Sequence, residues 1–485
     1  MPADHDPTLT FFNGTRTVGG VQVLARAGRS GLCFDFGATP NPTAALFSRG
    51  CPPPRTGSLP AHLRSGMAPL IEGLYDPAQL GAAGGSVLQV SEPMRRDGRL
   101  LEGMPLIDDV EHLGVFVSHI HNDHCGLLPF VSPDVPVIMS TGSAALHAGM
   151  VDSGELPASP AKVLTLEDGG HARVGELDLQ LLDVDHDLPG AAGFVLSAGD
   201  QRVAWTGDWR AHGHAPTRMA RFAERAAGVD LLLTEGTTLA PDASPVRQIS
   251  ESELIDRVGK LLARTEGLAF VTPYPRNLFR LDALREVAAA NGRMLVLSNA
   301  TMTGWRDAAR HGLTAPDPDA RPVAVFDDPA AGGEGPGLRV GVDELSRDRD
   351  AFLVELQLAE RWLALAVGAG PGDLLVHCNG NPLGPWDPEW VSLTAWVRTL
   401  GLDFAWLNSG GHATPDDLAW LVDAVRPRAV VAVHSSHPEL FPRTAGVPLV
   451  LPERGHSFPI AAPRPFARGV LGADPTRTVV ACASS

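Results

Sequence analysis

The chain has 485 residues and carries 39 lysines and arginines against 56 aspartates and glutamates, a formal net charge of −17. This acidic balance argues against a broad basic nucleic-acid-binding face, although it is compatible with a local arginine groove. The 44% hydrophobic and 20% charged residues exclude a disordered chain, and the length predicts roughly two to three domains of about 150 residues.

The first half of the chain has the pattern of β-strands joined by loops. Apolar residues alternate over Val21–Ala25, and the apolar run Gly31–Gly37 ends in an acidic residue and a glycine. Proline, glycine and arginine are frequent over 38–70, which predicts a long surface loop. A buried strand is predicted over Val110–Val117 and a β-meander over 173–208.

After Glu235 the pattern changes to helices that alternate with strands, which predicts parallel strand pairing. Ser250 and Glu253 have the spacing of a capping box at the start of the first of these helices. Residues 313–343 are predicted to interrupt the alternation, and the chain after about 460 is predicted to be irregular. Helices are predicted near 254–262, 281–290, 390–400 and 415–425, and strands near 268–271, 294–297, 374–376, 404–407 and 429–433.

The segment from Ser118 to His124 is the richest in ligand-type side chains. His119 and His121 alternate where a strand ends, so both rings can point the same way, and Asp123 and His124 follow directly. Burying four such side chains unpaired would be costly, which favours a metal site over an ordinary core. His186 and Asp208 also stand at the ends of predicted strands. Imidazole and carboxylate ligands suit zinc, or manganese as the second choice.

This pattern resembles the metallo-β-lactamase fold, whose H-x-H-x-D-H motif matches the 119–124 segment. The resemblance implies the fold but not the substrate, because members cleave lactams, thioesters, lactones and phosphodiesters. The residues that match the family's motifs are Asp35, His119, His121, Asp123, His124, His186 and Asp208.

The same resemblance implies two metal ions. One is held by the three histidines of the first and third motifs (His119, His121 and His186), and the other by Asp123 and His124. Asp208 is implied to bridge the two ions and to be catalytic together with Asp123. Asp35 is implied to orient a ligand rather than to bind metal.

Three later motifs resemble those of the β-CASP nucleases, the group that contains ribonuclease J. They are Glu235 in Leu231-Leu-Leu-Thr-Glu-Gly-Thr237, His412 in Asn408-Ser-Gly-Gly-His412, and His434 in Val431-Ala-Val-His434. In this resemblance His434 completes the shell of the second metal, with His437 as a rival. His412, held by Glu235, donates a hydrogen bond to the scissile phosphate or a proton to the leaving group.

The predicted fold class is therefore α/β, an αββα metallo-β-lactamase sandwich with an inserted parallel-sheet β-CASP domain. The predicted first part of the sandwich is 1–238 and the insert is 239–405. The second part of the sandwich is 406–460, followed by a C-terminal tail over 461–485.

The predicted function is hydrolysis of RNA phosphodiester bonds, endonucleolytic or 5′→3′ exonucleolytic, by a hydroxide activated by two Zn²⁺ ions, with Mn²⁺ as the alternative. Single-stranded RNA is the predicted partner, with Arg276, Arg280 and Ser409 as candidate substrate-binding residues. A salt bridge at the start of a helix is the alternative for the two arginines. The alternatives are a hydrolase of small esters, lactones or nucleotides, a DNA nuclease of the same fold, and a non-catalytic subunit of an RNA-processing complex. The oligomeric state, monomer or homodimer, stays open.

The cellular location follows from the cysteines and the N-terminus. The five cysteines are odd in number and never in C-x-x-C spacing, which argues against a disulfide scaffold or a zinc knuckle. The chain has no run of about 18 apolar residues, and its first residues lack the character of a secretory signal. We therefore expect a cytoplasmic protein without a membrane partner.

Overall fold

The structure is a computed structural model that describes residues 6–38, 58–81, 85–91, 104–241, 248–320, 323–327 and 337–461, and the backbone of 479–481. Within these ranges no helix has the length and apolar character needed to cross a membrane. The strands before residue 240 are β1 (Thr8–Asn13), β2 (Gln22–Ala27), β3 (Ser30–Phe34), β4 (Leu70–Ile71), β5 (Leu106–Ile107), β6 (His112–Phe116), β7 (Val137–Ser140), β8 (Val163–Leu166), β9 (His171–Val174), β10 (Leu177–Asp183), β11 (Ala192–Ala198), β12 (Gln201–Trp205) and β13 (Leu231–Glu235).

The later strands fall into two groups. An inserted group comprises β14 (Ala269–Pro273), β15 (Met294–Leu297), β16 (Ala324–Phe326), β17 (Leu338–Val340), β18 (Phe352–Glu355), β19 (Leu374–Cys378) and β20 (Asp403–Trp406). A final group comprises β21 (Ala429–Val433), β22 (Leu449–Leu451), β23 (Ser457–Pro459) and β24 (Val479–Ala481).

The α-helices lie between these strands, and a further helical segment spans 87–91. They are α1 (Ser58–Ser65), α2 (Asn122–Cys125), α3 (Thr141–Asp152), α4 (Thr217–Arg225), α5 (Glu251–Leu262), α6 (Leu278–Ala290), α7 (Asn299–Arg310), α8 (Val342–Arg347), α9 (Trp362–Ala366), α10 (Trp390–Leu400) and α11 (Pro415–Val425).

Two sheets pack face to face to form a sandwich. One has the strand order β23-β1-β2-β3-β6-β7-β8 and the other β24-β22-β21-β13-β12-β11-β10-β9. Their inner faces share one apolar core, in which the Phe194 ring makes edge contacts with Phe34 and Phe116 at centroid distances of 5.1 and 5.0 Å. Helix α3 covers the outer face of the first sheet, and α4 and α11 cover that of the second. The result is the predicted αββα arrangement.

The third sheet contains the inserted strands alone, in the order β17-β16-β15-β18-β14-β19-β20, and all its pairings are parallel. Helices cover both faces, α5, α6 and α7 on one side and α8, α9 and α10 on the other. This confirms the parallel sheet predicted from the alternation of helices and strands. The chain re-enters the sandwich where β21 pairs in parallel with β13.

The sandwich and the insert are in contact where α3 packs against α7. Residue 149 of α3 must be glycine, because a Cβ atom there would lie 2.6 Å from the backbone nitrogen of Ala308 in α7. This close approach brings the backbones of the two parts together. The predicted domain boundaries at 238, 405 and 460 nevertheless stay predictions.

Three loop predictions were wrong in part. Most of 38–70 lies outside the described residues, but 58–65 form α1, since Leu59 and Leu63 are apolar and fully buried. The interruption over 313–343 contributes β16 and β17 to the inserted sheet. The irregular tail contains β24, which pairs with β22.

The capping box predicted at the start of α5 is formed in part. The Ser250 hydroxyl accepts a hydrogen bond from the Glu253 backbone nitrogen at 3.1 Å, as predicted. The Glu253 carboxylate instead pairs with Arg257 one turn along the helix. At the start of α11, Thr414 and Asp417 form the full reciprocal capping box.

Candidate metal centre

The centre is built around the loop that follows β6, and Asp35 fixes this loop. One Asp35 oxygen accepts the Ser118 backbone N–H at 2.7 Å; the other lies 2.9 Å from the Ser118 hydroxyl and 3.1 Å from Trp205 Nε1. Asp35 has a φ of 50°, a left-handed conformation that costs about 1–3 kcal/mol. These hydrogen bonds offset that cost.

A close approach explains the glycine after Asp35. A Cβ atom on residue 37 would lie 1.6 Å from the Asp123 carbonyl oxygen, so only glycine fits beside the loop. The Phe36 and Ala38 backbone nitrogens donate to the carbonyls of His124 and Asn122 at 2.8 and 3.0 Å. The end of the Gly31–Gly37 run therefore holds the 122–124 turn in place.

Three histidine nitrogens converge at the first group. His121 Nδ1 lies 3.0 Å from His119 Nε2 and 3.3 Å from His186 Nε2. His119 and His121 come from the loop after β6, and His186 comes from the segment after β10 in the other sheet. The three ligand atoms lie within 4.8 Å of one another, close enough to hold one metal ion.

The second group brings together two aspartates and two histidines. His434 Nε2 lies 3.0 Å from Asp123 Oδ2 and 3.5 Å from Asp208 Oδ2. The same Asp208 oxygen is 3.2 Å from His124 Nε2 and 3.8 Å from His119 Nε2 in the first group. Asp208 thus lies between the two groups, where a bridging ligand would stand.

In three of these histidines, the ring nitrogen that points away from the centre lies within hydrogen-bond distance of an oxygen atom. His124 Nδ1 lies 2.9 Å from Asp35, His186 Nδ1 lies 2.7 Å from the Gly411 carbonyl, and His434 Nδ1 lies 2.7 Å from the Thr237 hydroxyl. Contacts of this kind fix the ring orientation of metal-binding histidines. The contact between Asp35 and His124 is the one that the predicted orienting role of Asp35 requires.

The donor set fits divalent cations. His124 Nε2 and Asp208 Oδ1 are buried and have no hydrogen-bond partner among the described residues, which is costly unless a cation takes that place. Burial lowers the pKa of His119 well below its usual value, with His124 adding to the effect, and this favours the neutral ring that metals bind. Burial alone would raise the pKa of Asp208, but the nearby His434 and His124 hold it well below its usual range.

Glu235 and His412 form a pair next to this centre. Glu235 is fully buried at the end of β13, and its Oε2 lies 2.9 Å from His412 Nδ1. Its other oxygen accepts the backbone N–H groups of Trp209 and Ala413 at 3.1 and 3.2 Å. Burial by itself would lower the pKa of His412, but the Glu235 carboxylate raises it to about 10. His412 Nδ1 is 3.7 Å from Asp208.

The rival histidines of the last motif lie in different places. His434 follows β21, is 1% exposed and contacts Asp123. The His437 ring is 38% exposed and lies 3.2 Å from Glu439, with which it can pair. The structure therefore brings His434, and not His437, to the ligand groups. His434 has a φ of 52°, and its backbone nitrogen donates to the Gly14 carbonyl at 2.8 Å.

A cleft of about 560 Å³ lies between the sandwich and the loops that follow β14, β18 and β19. Arg276 lines it and pairs with Glu155 of the sandwich. Tyr274 also lines it, and its ring lies 5.5 Å from that of His121. The sequence analysis missed Tyr274, although a tyrosine directly after a parallel strand and two residues before Arg276 was a usable signal.

For Arg280 the structure favours the salt bridge over substrate binding. Arg280 is fully buried in α6, and all its donors are occupied. It binds both oxygens of Glu251, the carbonyls of Cys378 and Ser409, and the side-chain oxygen of Asn379. Ser409 is also fully buried, and its backbone groups bind Arg280 and Asn379. Arg276 is thus the predicted substrate-binding residue that lines the cleft.

A second residue that the sequence analysis missed is Asp187. Its Oδ1 lies 3.3 Å from His186 Nε2 and 3.6 Å from His121 Nε2, and it is buried without a hydrogen bond among the described residues. Burial would raise its pKa, but the charges of His186 and His121 lower it to about 2. Its position directly after a predicted ligand was the available signal.

Comparisons with known proteins agree with this architecture. The family model of the β-lactamase superfamily domain matches residues 92–263. Ribonuclease J of Mycolicibacterium smegmatis is 28% identical over 401 residues, which cover 75% of this chain and 67% of that protein. Ribonuclease J of Sinorhizobium meliloti is 25% identical over 383 residues, covering 72% of this chain and 63% of that protein. About a third of each relative therefore has no counterpart in the aligned region.

A solved structure has the same fold. The crystal structure of a protein of unknown function from Enterococcus faecalis V583 superposes with a TM-score of 0.74. The match covers 94% of this chain and 100% of the other, at 24% sequence identity. This likeness extends across both the sandwich and the inserted sheet.

Proposed function

We propose that this chain is a ribonuclease J-like metallo-β-lactamase-fold protein of the β-CASP kind, and that it hydrolyses RNA phosphodiester bonds with divalent metal ions. The fold and the relatives support a hydrolase. The observation that carries the RNA proposal is the convergence of both ligand groups and the Glu235–His412 pair beside an open cleft.

Two ions, Zn²⁺ or as the second choice Mn²⁺, would be held by the two groups. His119, His121 and His186 would take one ion, and Asp123, His124 and His434 the other, with Asp208 between them. Bound divalent cations of this kind activate water for attack and neutralise the charge of a phosphodiester. The buried, unpartnered ligand atoms of His124 and Asp208 support this assignment.

His412 would donate a proton to the leaving group. Because Nδ1 faces Glu235, Nε2 is the ring nitrogen that can reach a substrate, and the side chain is 28% exposed. Water would bond to phosphorus and release a proton to solvent as the bridging P–O bond breaks. The departing oxygen would take a proton from His412, which solvent then reprotonates. The buried Glu235 carboxylate keeps the ring oriented and stabilises its protonated form.

The cleft supports a polymeric substrate. Its lining comes from loops of the inserted domain and from Glu155 of the sandwich, and the Tyr274 ring in that lining lies 5.5 Å from the ring of His121. Arg276 would bind a backbone phosphate there, since arginine forms strong charge-assisted hydrogen bonds with phosphate.

We keep both endonucleolytic and 5′→3′ exonucleolytic cleavage within the proposal. We also retain a cytoplasmic location, in line with the free, buried Cys33, Cys125 and Cys378.

The test is cleavage of 5′-labelled single-stranded RNA by the wild type and by Asp208→Asn, in Zn²⁺ and in Mn²⁺. We expect the variant to lose cleavage while its circular dichroism and melting curve stay those of a folded protein. Cleavage by Asp208→Asn at the wild-type rate would refute the mechanism. Single-stranded DNA and chromogenic esters in the same assay would identify a DNA nuclease or a small-molecule hydrolase.

A further inference from the structure

Three buried charged residues connect the sandwich to the inserted domain, and we call Arg210, Glu251 and Arg280 the junction cluster. Arg210 follows Asp208 by two residues, whereas Glu251 begins α5 and Arg280 lies in α6. Glu251 Oε1 is 2.8 Å from Arg210 Nη1 and 2.6 Å from Arg280 Nη2. The three side chains are 0–3% exposed.

The cluster holds the loop that leads to His412. Arg280 Nη2 donates to the Ser409 carbonyl at 2.7 Å, and Arg210 Nη1 donates to the Gly410 carbonyl at 3.2 Å. The next carbonyl, that of Gly411, lies 2.7 Å from His186 Nδ1. Three consecutive carbonyls thus connect the inserted domain, the segment after Asp208 and a predicted metal ligand.

Stability alone is a weak explanation for this arrangement. Replacing a buried ion pair by packed apolar residues often leaves a protein equally stable or more so. Unlike an apolar residue, an arginine provides a planar set of hydrogen-bond donors in fixed directions. In Arg280 that set is directed at Glu251 on one side and at the Cys378 and Ser409 carbonyls on the other.

We propose that the junction cluster positions the 408–411 loop and, through the Gly411 carbonyl, the imidazole of His186, so that metal affinity depends on Arg280. Arg280 and Glu251 are then positioning residues through which the inserted domain sets the geometry of the centre. The inference rests on the proposed function only for the roles of His186 and His412.

The experiment compares Arg280→Met with Arg293→Met in the full chain. Arg293 is also a buried arginine of the inserted domain, but it donates to the carbonyls of Gly267 and Phe352, away from the 408–411 loop. Zn²⁺ affinity is measured on metal-depleted protein by competition with a chromogenic chelator, without RNA. We expect about a 10–100-fold loss of affinity in Arg280→Met, the range for outer partners of metal ligands, and none in Arg293→Met.

Equal Zn²⁺ affinity in the two variants would overturn the inference and leave Arg280 a purely structural residue. If Arg280→Met does not fold, Glu251→Gln is tested in the same way, because it removes the charge that holds both arginines. Reduced affinity in Glu251→Gln supports the inference, and wild-type affinity overturns it. Failure of the proposed function is seen separately, as a wild type that binds Zn²⁺ but does not cleave RNA.

Discussion

The metal centre, which we call the sandwich wall, and the part of the cleft lining that comes from the inserted domain, which we call the inserted wall, differ in how their polar side chains are held. On the sandwich wall, His119, His124 and Asp208 are at most 1% exposed, and the two histidine rings have fixed partners at Ser118 and Asp35. On the inserted wall, the Arg276 side chain is 21% exposed, and it forms an ion pair with the surface residue Glu155. The first wall is preorganised, whereas the second can adapt.

From this difference we expect the two walls to have different functions. Electrostatic catalysis requires groups that do not need to reorganise during the reaction, which buried and hydrogen-bonded ligands provide. Binding a flexible single strand instead requires accessible cations and aromatic rings. We therefore expect substitutions on the sandwich wall to change metal binding and kcat, and substitutions on the inserted wall to change KM.

The largest expected effect separates His434 from His437. Because loss of a residue one step beyond a ligand costs about 10–100-fold, His434→Ala should lower kcat by more than about 100-fold. His437→Ala serves as the matched control and should stay within about 2-fold, since a surface change away from the ligand groups costs little. Steady-state RNA cleavage measures both, and equal losses would contradict the assignment of His434.

An intermediate effect is expected for Asp35→Asn. The amide would keep the shape of the side chain but weaken the interaction with His124, so Zn²⁺ affinity should fall by about 10–100-fold. Asp178→Asn, on the exposed pair with His171, is the control that should leave the affinity unchanged. Metal content after dialysis against graded chelator concentrations measures the difference, and wild-type retention in Asp35→Asn would remove its orienting role.

The smallest effects are expected on the inserted wall. Tyr274→Ala and Arg276→Ala should each raise KM for single-stranded RNA by about 3–10-fold with kcat nearly unchanged, because they remove one stacking ring or one phosphate contact. Arg221→Ala, a half-exposed arginine paired with Asp168 on the sandwich, is the control. A fall in kcat at constant KM would place these residues in the chemistry instead.

Much of the fold could be predicted from periodicity and helix signals. The strands Met294–Leu297 and Ala429–Val433 and the helix Trp390–Leu400 were predicted to the residue. The predictions failed where burial depends on distant partners: Leu59 and Leu63 make a helix of a segment that was predicted to be a loop. Short strands such as β16 and β17 carry too few residues for a local signal.

Local spacing was enough to identify the side chains that are available for metal binding, because H-x-H-x-D-H is a short motif and each later candidate follows a predicted strand. The contacts of Arg280 with a carboxylate and backbone carbonyls, and the positions of Tyr274 and Asp187 beside His121, became visible in the folded chain. The reason is physical: an arginine has the same chemistry whether it is buried or exposed, and its partners come from parts of the chain about 30 to 130 residues away.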